Sequence, residues 1–515
     1  MRFAVKASAS ALALSLLAAA PAWAAKTTLT IGSTAQSAGQ LDPDFATATT
    51  DRTPVGWIFN GLVRFKPGSM SPSDIEPDLA ESWQSSPDKL TWTFHLRHGV
   101  QFHGGYGELT ADDVVFSLHK AADPKTSAFA ADYSAFRTVE AVDPYTVRIV
   151  LSHPVPSLLG LVTDYSGGYI LSRKAYEKLG ADFTRHPIGT GPFAFSALVP
   201  NQSLTLVAND AYFRGKPKIR KIVYRYMPSD ASRELAFRSG ELDLAPGVQD
   251  QVWAKRMHAV PHAIVDVFEP GELSQLNLNI TVKPLDDLRV RQAIAYAVDR
   301  DELLRWKGKE VAREPISVVP LHYLGTVDAH LYPHDVAKAK QLLTEAGYPH
   351  GLTIKMIHTE LPDMMATMQV VQAQLRRAGI TIDIQPVDHA TYHKMIRQDL
   401  SPIVFYDAAR FPVADIYLSQ FFLSRSTVKT PTAVANFSHC NVADKEIDAA
   451  RVATDEKQQL ADWATAQRKI AAAVCAVPLI ETEQVWVQRD DVDLGYDLKG
   501  SLTLGPLITE QTHFK

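Results

Sequence analysis

The chain has 515 residues, 46% of them hydrophobic and 21% charged, with two cysteines. At roughly 100–200 residues per domain it holds about two to four domains, and its composition excludes wholesale disorder, a collagen-like chain and a disulfide scaffold. With 52 basic against 57 acidic residues, a net charge of −5 and no basic stripe, it is not a nucleic-acid binder.

Arg2 and Lys6 precede an apolar run from Ala7 to Ala20, and Ala22-Trp23-Ala24 supplies the small residues that signal peptidase requires. Residues 1–24 are therefore expected to be a cleaved export signal, since about 14 apolar residues fall short of the roughly 20 that span a bilayer. No cysteine follows the cut, so no lipid anchor is expected. Loss of Arg2 and Lys6 takes the charge from −5 to −7.

Thr27 to Ile31 alternates as a strand and leads into a loop ending at Leu41-Asp42-Pro43. Leu90 to Leu96 alternates again and breaks at His98-Gly99. Thr110 reads as the N-cap of a helix reaching about Ala121, with Asp112 and Asp113 in its first turn. Asp143-Pro144 turns between strands at 138–142 and 146–151. Gly189-Thr190-Gly191-Pro192 lacks the lysine of a phosphate loop and is expected to fix a tight turn. Strands follow at 193–208 and 219–226. Helices and strands then alternate over 230–240, 286–299, 335–347, 352–358, 363–378, 380–387, 390–398 and 444–475. The pattern is mixed α/β without repeats or a flexible linker, which suggests a chain that crosses between lobes by strands and returns.

Cys440 and Cys475 could pair in an oxidising compartment, but the apolar run 471–475 favours a buried free thiol. His95, His98 and His103 invite a metal site, yet their strand-turn setting favours a structural role. Arg291 and Asp299 are expected to pack or to bridge elements. No G-x-S-x-G elbow, H-E-x-x-H or cysteine nucleophile is present, so the sequence offers no catalytic constellation.

Eight segments in register resemble the solute-binding proteins of ABC importers in the peptide/nickel class, family 5. They are Leu41-Asp42-Pro43, Gly61 to Phe65, Pro77 to Trp83, Phe94 to Gly104, Thr110 to Ser117, Gly189 to Phe193, Val290 to Arg300 and Ala339 to Tyr348. The resemblance implies an α/β, two-lobed periplasmic binding protein fold of type II that closes on a small solute. It implies a first lobe over 25–265 with an extra subdomain near 66–184, a second over 266–482, and a return to the first over 483–515. The crossings fall near 262–278 and 480–489, both strand-like. Closure follows from ligand contacts that exist only when both lobes engage. The implied protein is a periplasmic monomer without cofactor or enzymatic activity, whose partners are its ligand and the permease subunits of an importer. A carrier of nickel or haem chelates is the alternative, favoured by 17 histidines but by no ligand spacing. A periplasmic chaperone or sensor partner without transport is another.

Dipeptide-binding members hold the ligand's amino group with an aspartate; the matching position here is Arg410, in Tyr406-Asp407-Ala408-Ala409-Arg410. A charge reversal there disfavours an ammonium and suits a carboxylate or phosphate. The ligand is thus expected to be peptide-like or an anionic, partly apolar small molecule rather than an ordinary dipeptide, unless Arg410 pairs with Asp407 or Asp415. The arginine those members use for the ligand carboxylate falls among Met364, Met365 and Ala366, and their pocket tryptophan becomes His389, just before Tyr392. Thr34, Ala35 and Gln36 follow the first strand where members line the pocket, and Asn277 and Asn279 sit in the first crossing. The ligand-binding residues expected are Arg410, Tyr406, Asp407, His389, Tyr392, Met365, Thr34, Gln36 and Asn277.

Overall fold

Alternating side chains place Leu29 and Ile31 in the core and make Thr28–Ser33 a central strand of a nine-stranded mixed sheet. In this computed structural model, residues 26–515 are described, apart from 164, 166, 431 and 432; the expected export signal lies outside the described residues. The sheet runs in the order Ile403–Ala408, Ala263–Leu278, Ala476–Arg489, Leu244–Pro246, Thr28–Ser33, Lys221–Tyr226, Ser203–Ala208 and Phe193–Val199, and the short strand Ala312–Arg313 also pairs with Ala476–Arg489. Thr28–Ser33 pairs parallel with both neighbours, and the other ladders are antiparallel.

Two of these strands cross between lobes. Ala263–Leu278 has 16 residues and Ala476–Arg489 has 14, against a usual strand of about five or six. They pair over most of their length, with the register slipping between Phe268 and Glu272. That bulge bends the ladder where one lobe gives way to the other.

The first lobe packs its half of the sheet around Trp57, Phe59, Phe193 and Tyr224. A four-stranded antiparallel sheet, built from Ala80–Ser85, Thr91–Leu96, Phe136–Asp143 and Thr146–Leu151, has its own core with helix Ala111–Ala122. Thr110 and Asp113 cap that helix reciprocally. The second lobe holds the parallel pair Leu352–Thr359 and Ile380–Val387, joined through helix Pro362–Arg377. Helices Ala414–Phe422, Asp444–Val452 and Glu456–Ala473 build its other core. Beyond the second crossing the chain returns to the first lobe, where Trp486 Nε1 donates to Leu504 O at 3.0 Å and Thr53 Oγ1 to Thr503 O at 3.3 Å.

Two expectations need correction. Cys440 and Cys475 form a disulfide. The helix that carries the apolar run ends at Ala473, and Val474 takes a left-handed conformation that turns Cys475 toward the loop anchored by Asn436. The helix expected over 444–475 breaks before Asp455, which caps Glu456–Ala473. The helix expected over 286–299 is Leu288–Ala297, and a further helix, Arg300–Lys307, follows it, capped by Asp299 through Glu302 N at 2.9 Å. The chain bends at 190–192, and Gly189 and Gly191 pack against the end of helix Thr49–Ile58, where a Cβ on Gly189 would lie 2.1 Å from Ile58 O.

Several landmarks prove structural. Asp42 and Asp44 bind buried Lys120 at 2.9 and 2.7 Å. His103 Nε2 bonds Gly191 O at 2.9 Å, and burial pushes its pKa down to about 4. Arg291 donates to the backbone of Leu285 at 2.6 Å and Ala473 at 3.0 Å rather than bridging to an acid.

Candidate ligand-binding site

The crossing strands and both lobes enclose a cavity of about 280 Å³. Its first-lobe wall comes from Thr34, at the end of the central strand, from Thr49, Thr50 and Thr53 on helix Thr49–Ile58, and from Asp230 and Arg233 on helix Asp230–Arg238. Trp486 gives an aromatic surface, Glu272 and Gln484 project from the crossing strands, and Asp363 reaches in from the second lobe. Hydroxyl, amide and carboxyl groups line this wall beside the apolar surfaces of Val248, Val485, Trp486 and Leu504, so a solute with polar groups finds many hydrogen-bond partners.

The lobes are closed. Phe411 of the second packs 5.6 Å from the Phe65 ring of the first, and a Cβ on first-lobe Gly160 would meet the Phe411 ring at 2.6 Å. Arg410 lies at this seam, just past strand Ile403–Ala408. Its Nε donates to Gln420 Oε1 at 2.7 Å, its Nη1 to Ala409 O at 2.8 Å, and its guanidinium stands 5.3 Å over the Phe421 ring. Burial opposes its charge, yet the hydroxyls of Tyr406, Tyr165 and Tyr417 hold its pKa above the ordinary value. Among the described residues no carboxylate forms an ion pair with it; Asp415 is taken by Arg451 at 3.2 Å. The guanidinium makes no direct ion pair among the described residues, but it acts on buried Asp132, to which Gln420 joins it.

The opposite electrostatic pole lies close by. Asp407 is pushed up to about 7, mainly by burial and further by Glu272 and Asp363, with Ser274 opposing. Burial also raises Glu272, against Gln484 and Gln249, which lower it. Lys307 Nζ binds Asp363 at 2.6 Å.

Of the residues singled out from the sequence, Arg410, Tyr406 and Asp407 gather at the end of one strand, and Thr34 lines the cavity. His389 meets His393 at 3.1 Å, and the His393 ring stands 6.0 Å from Tyr406. Burial pushes His393 down to about 4. Tyr392 is fully buried and donates to Phe405 O. Asn277 is also fully buried and ties two strands through Val404 O at 3.3 Å. Met365 lines an outer groove with Gln369, Gln372 and Ile382, and Gln36 is exposed outside the cavity wall. Sequence reasoning missed Glu272, Asp363, Gln484 and Trp486. The signal for Gln484 was available: Glu481-Thr482-Glu483-Gln484 is a polar run inside an otherwise apolar strand. Among the described residues no group of three or more His, Cys, Asp or Glu side chains is placed to hold a metal ion.

The sequence profile of the bacterial extracellular solute-binding proteins, family 5, matches residues 74–428. The solved structure of the binding protein MoaA of A. tumefaciens R10 in complex with mannopinic acid is 52% identical, covers 95% of this chain and 100% of its own, and superposes with a TM-score of 0.89. Heme-binding protein A of Haemophilus influenzae is 31% identical over 66% of this chain and 66% of its own. The glutathione-binding protein GsiB of Pectobacterium atrosepticum is 29% identical over 88% of each.

Proposed function

Because the chain belongs to family 5 of the bacterial extracellular solute-binding proteins, we propose that it takes a small hydrophilic acid of the mannopinic-acid kind between its lobes and presents it to a membrane permease. The observation that carries the reading is Arg410, a guanidinium at the seam with no carboxylate partner among the described residues. Arg410 is not among the residues that line the cavity; the reading places the solute's acid group at the seam beside it, and the threonine, glutamine and acidic side chains of the cavity take its hydroxyl or amine groups. The likeness to the mannopinic-acid complex supports the same class of ligand.

The lobe boundaries read from the sequence, 25–265, 266–482 and 483–515 with a subdomain near 66–184, are supported by the crossing strands and the separate four-stranded sheet. Export is supported by the extracellular family assignment; among the described residues no helix is long and apolar enough to cross a membrane.

The test is a thermal-shift screen with mannopinic acid, glutathione, a dipeptide and haem. A ligand at a hundred times its Kd stabilises the native state by about 2.7 kcal/mol. Mannopinic acid is expected to give the largest rise in Tm; a larger rise with haem or the dipeptide overturns the reading.

A further inference from the structure

The crossing strands carry carboxyl groups where the hinge has to bend. Glu481 and Glu483 stand two residues apart on Ala476–Arg489, so strand alternation points them to one side. Both are almost fully buried, at 2% and 4% exposure. Across the ladder lies the bulge that holds Glu269, Pro270 and Gly271. Glycine is needed there because a Cβ on Gly271 would come within 2.4 Å of Glu481 Cγ. Glu481 Oε2 accepts from Leu321 N at 2.8 Å. Glu483 has Arg313 at 3.7 Å, and its Oε2 has no hydrogen-bond partner among the described residues. The other groups facing the pair are Glu269, which contacts His322, and the hydroxyls of Tyr323 and Tyr417. Three carboxyls therefore share one permanent cation.

We propose that Glu481 and Glu483 couple closure of the two lobes to proton uptake at the hinge, so that the closed state holds protons the open state releases. Burial takes Glu481 to about 8 and Glu483 to about 7, with Glu269 adding repulsion at both and Arg313 opposing. The first lobe packs onto the hydrophobic cluster beside the pair. Its Phe65, Met70 and Leu502 complete the cluster that contains Leu273, Tyr323 and Tyr417. The Glu269 backbone is also tied to the first-lobe tail through Lys499 and Ser501. Withdrawal of that lobe wets the carboxyls, which return toward their ordinary value of 4.5 and ionise.

The closed state therefore binds more protons than the open state between about pH 5 and 8. Closure weakens across that window as pH rises, by up to about tenfold per pH unit for each proton coupled, and is level on either side. The inference rests on the two-lobed capture reading but on no particular solute.

Small-angle scattering of the ligand-free mature chain from pH 5 to 9 tests it, with the Glu481→Gln/Glu483→Gln double variant alongside. The wild type is expected to expand between pH 5 and 8, while the variant, which mimics protonated acids, keeps its low-pH dimensions. Glu483→Gln alone, with roughly half the pH response, serves where the double variant fails to fold. Dimensions that do not respond to pH, or that respond equally in wild type and variant, overturn the proposal. Calorimetry with mannopinic acid at pH 7 in two buffers of different ionisation enthalpy should show more proton uptake in the wild type than in the variant, and equal uptake in both contradicts the proposal. A failure of mannopinic acid to bind contradicts the ligand assignment instead, and scattering then decides on the hinge.

Discussion

Gln420 of the second lobe donates its side-chain amide to Asp132 of the first at 3.1 Å. The same glutamine accepts from Arg410 Nε at 2.7 Å, so one side chain links the guanidinium to the opposite lobe. Asp132 is raised by burial, while Arg410, Gln420, Arg52 and Arg451 act to lower it. Gln420→Ala removes a contact made only on closure. A hydrogen bond to a charged group contributes about 1.5–3 kcal/mol, so the solute Kd is expected to rise about ten- to a hundredfold. Titration by intrinsic fluorescence reads this directly, and the ligand-free Tm should stay nearly constant. An unchanged Kd would mean that the contact is incidental to closure.

Lys120 bridges Asp42 and Asp44 in the first-lobe interior. Asp44 reaches about 7, mostly from burial, even with the ammonium present. Lys120→Met leaves two buried acids without a cation, which costs about 3–5 kcal/mol. Urea unfolding should show that loss at neutral pH, with partial recovery near pH 5, where Asp44 protonates. Equal losses at both pH values would contradict the ionic account.

The Cys440–Cys475 disulfide joins the loop anchored by Asn436 to the start of the second crossing strand. Replacing both cysteines with serine is expected to cost about 2–4 kcal/mol. Chemical denaturation would measure it. A midpoint that does not move would show that the strand start is held by its ladder alone.

His103 is neutral and buried, its pKa pushed down to about 4 by burial, against an ordinary histidine value of 6.5. A depressed histidine leaves the unfolded chain binding more protons, so its contribution is complete above about pH 6.5 and is lost as pH falls toward 4. The acid limb of the Tm profile should therefore be shallower in His103→Gln than in the wild type, whatever the absolute Tm. A parallel acid limb would assign acid unfolding to other groups.

Much of the frame was legible because it depends on local chemistry. Thr110 with Asp113 announces a helix start, and the alternation at Leu29 and Ile31 announces a buried strand. The site was legible only in part, because its geometry comes from pairings that sequence distance hides. Ser274 lies opposite Asp407, which brings Glu272 toward that acid, and Gln420 meets Asp132 across 288 residues. Met365 shows the limit of counting back from Gly379. The count finds the right helix but not the face, and successive residues differ by about 100° around the axis. Asp363, two positions earlier, is the residue that enters the cavity. Tyr392 and Asn277 were candidates by polarity, but each satisfies a backbone carbonyl in the core.

The central claim is that Arg410 receives the acid group of the solute. Calorimetric titration of the wild type and Arg410→Gln with mannopinic acid tests it most directly. Loss of a charge-assisted, bidentate contact in a closed site is expected to weaken binding about a hundredfold, with little change in the Tm of the ligand-free chain. Equal affinity in a correctly folded Arg410→Gln variant would contradict the account.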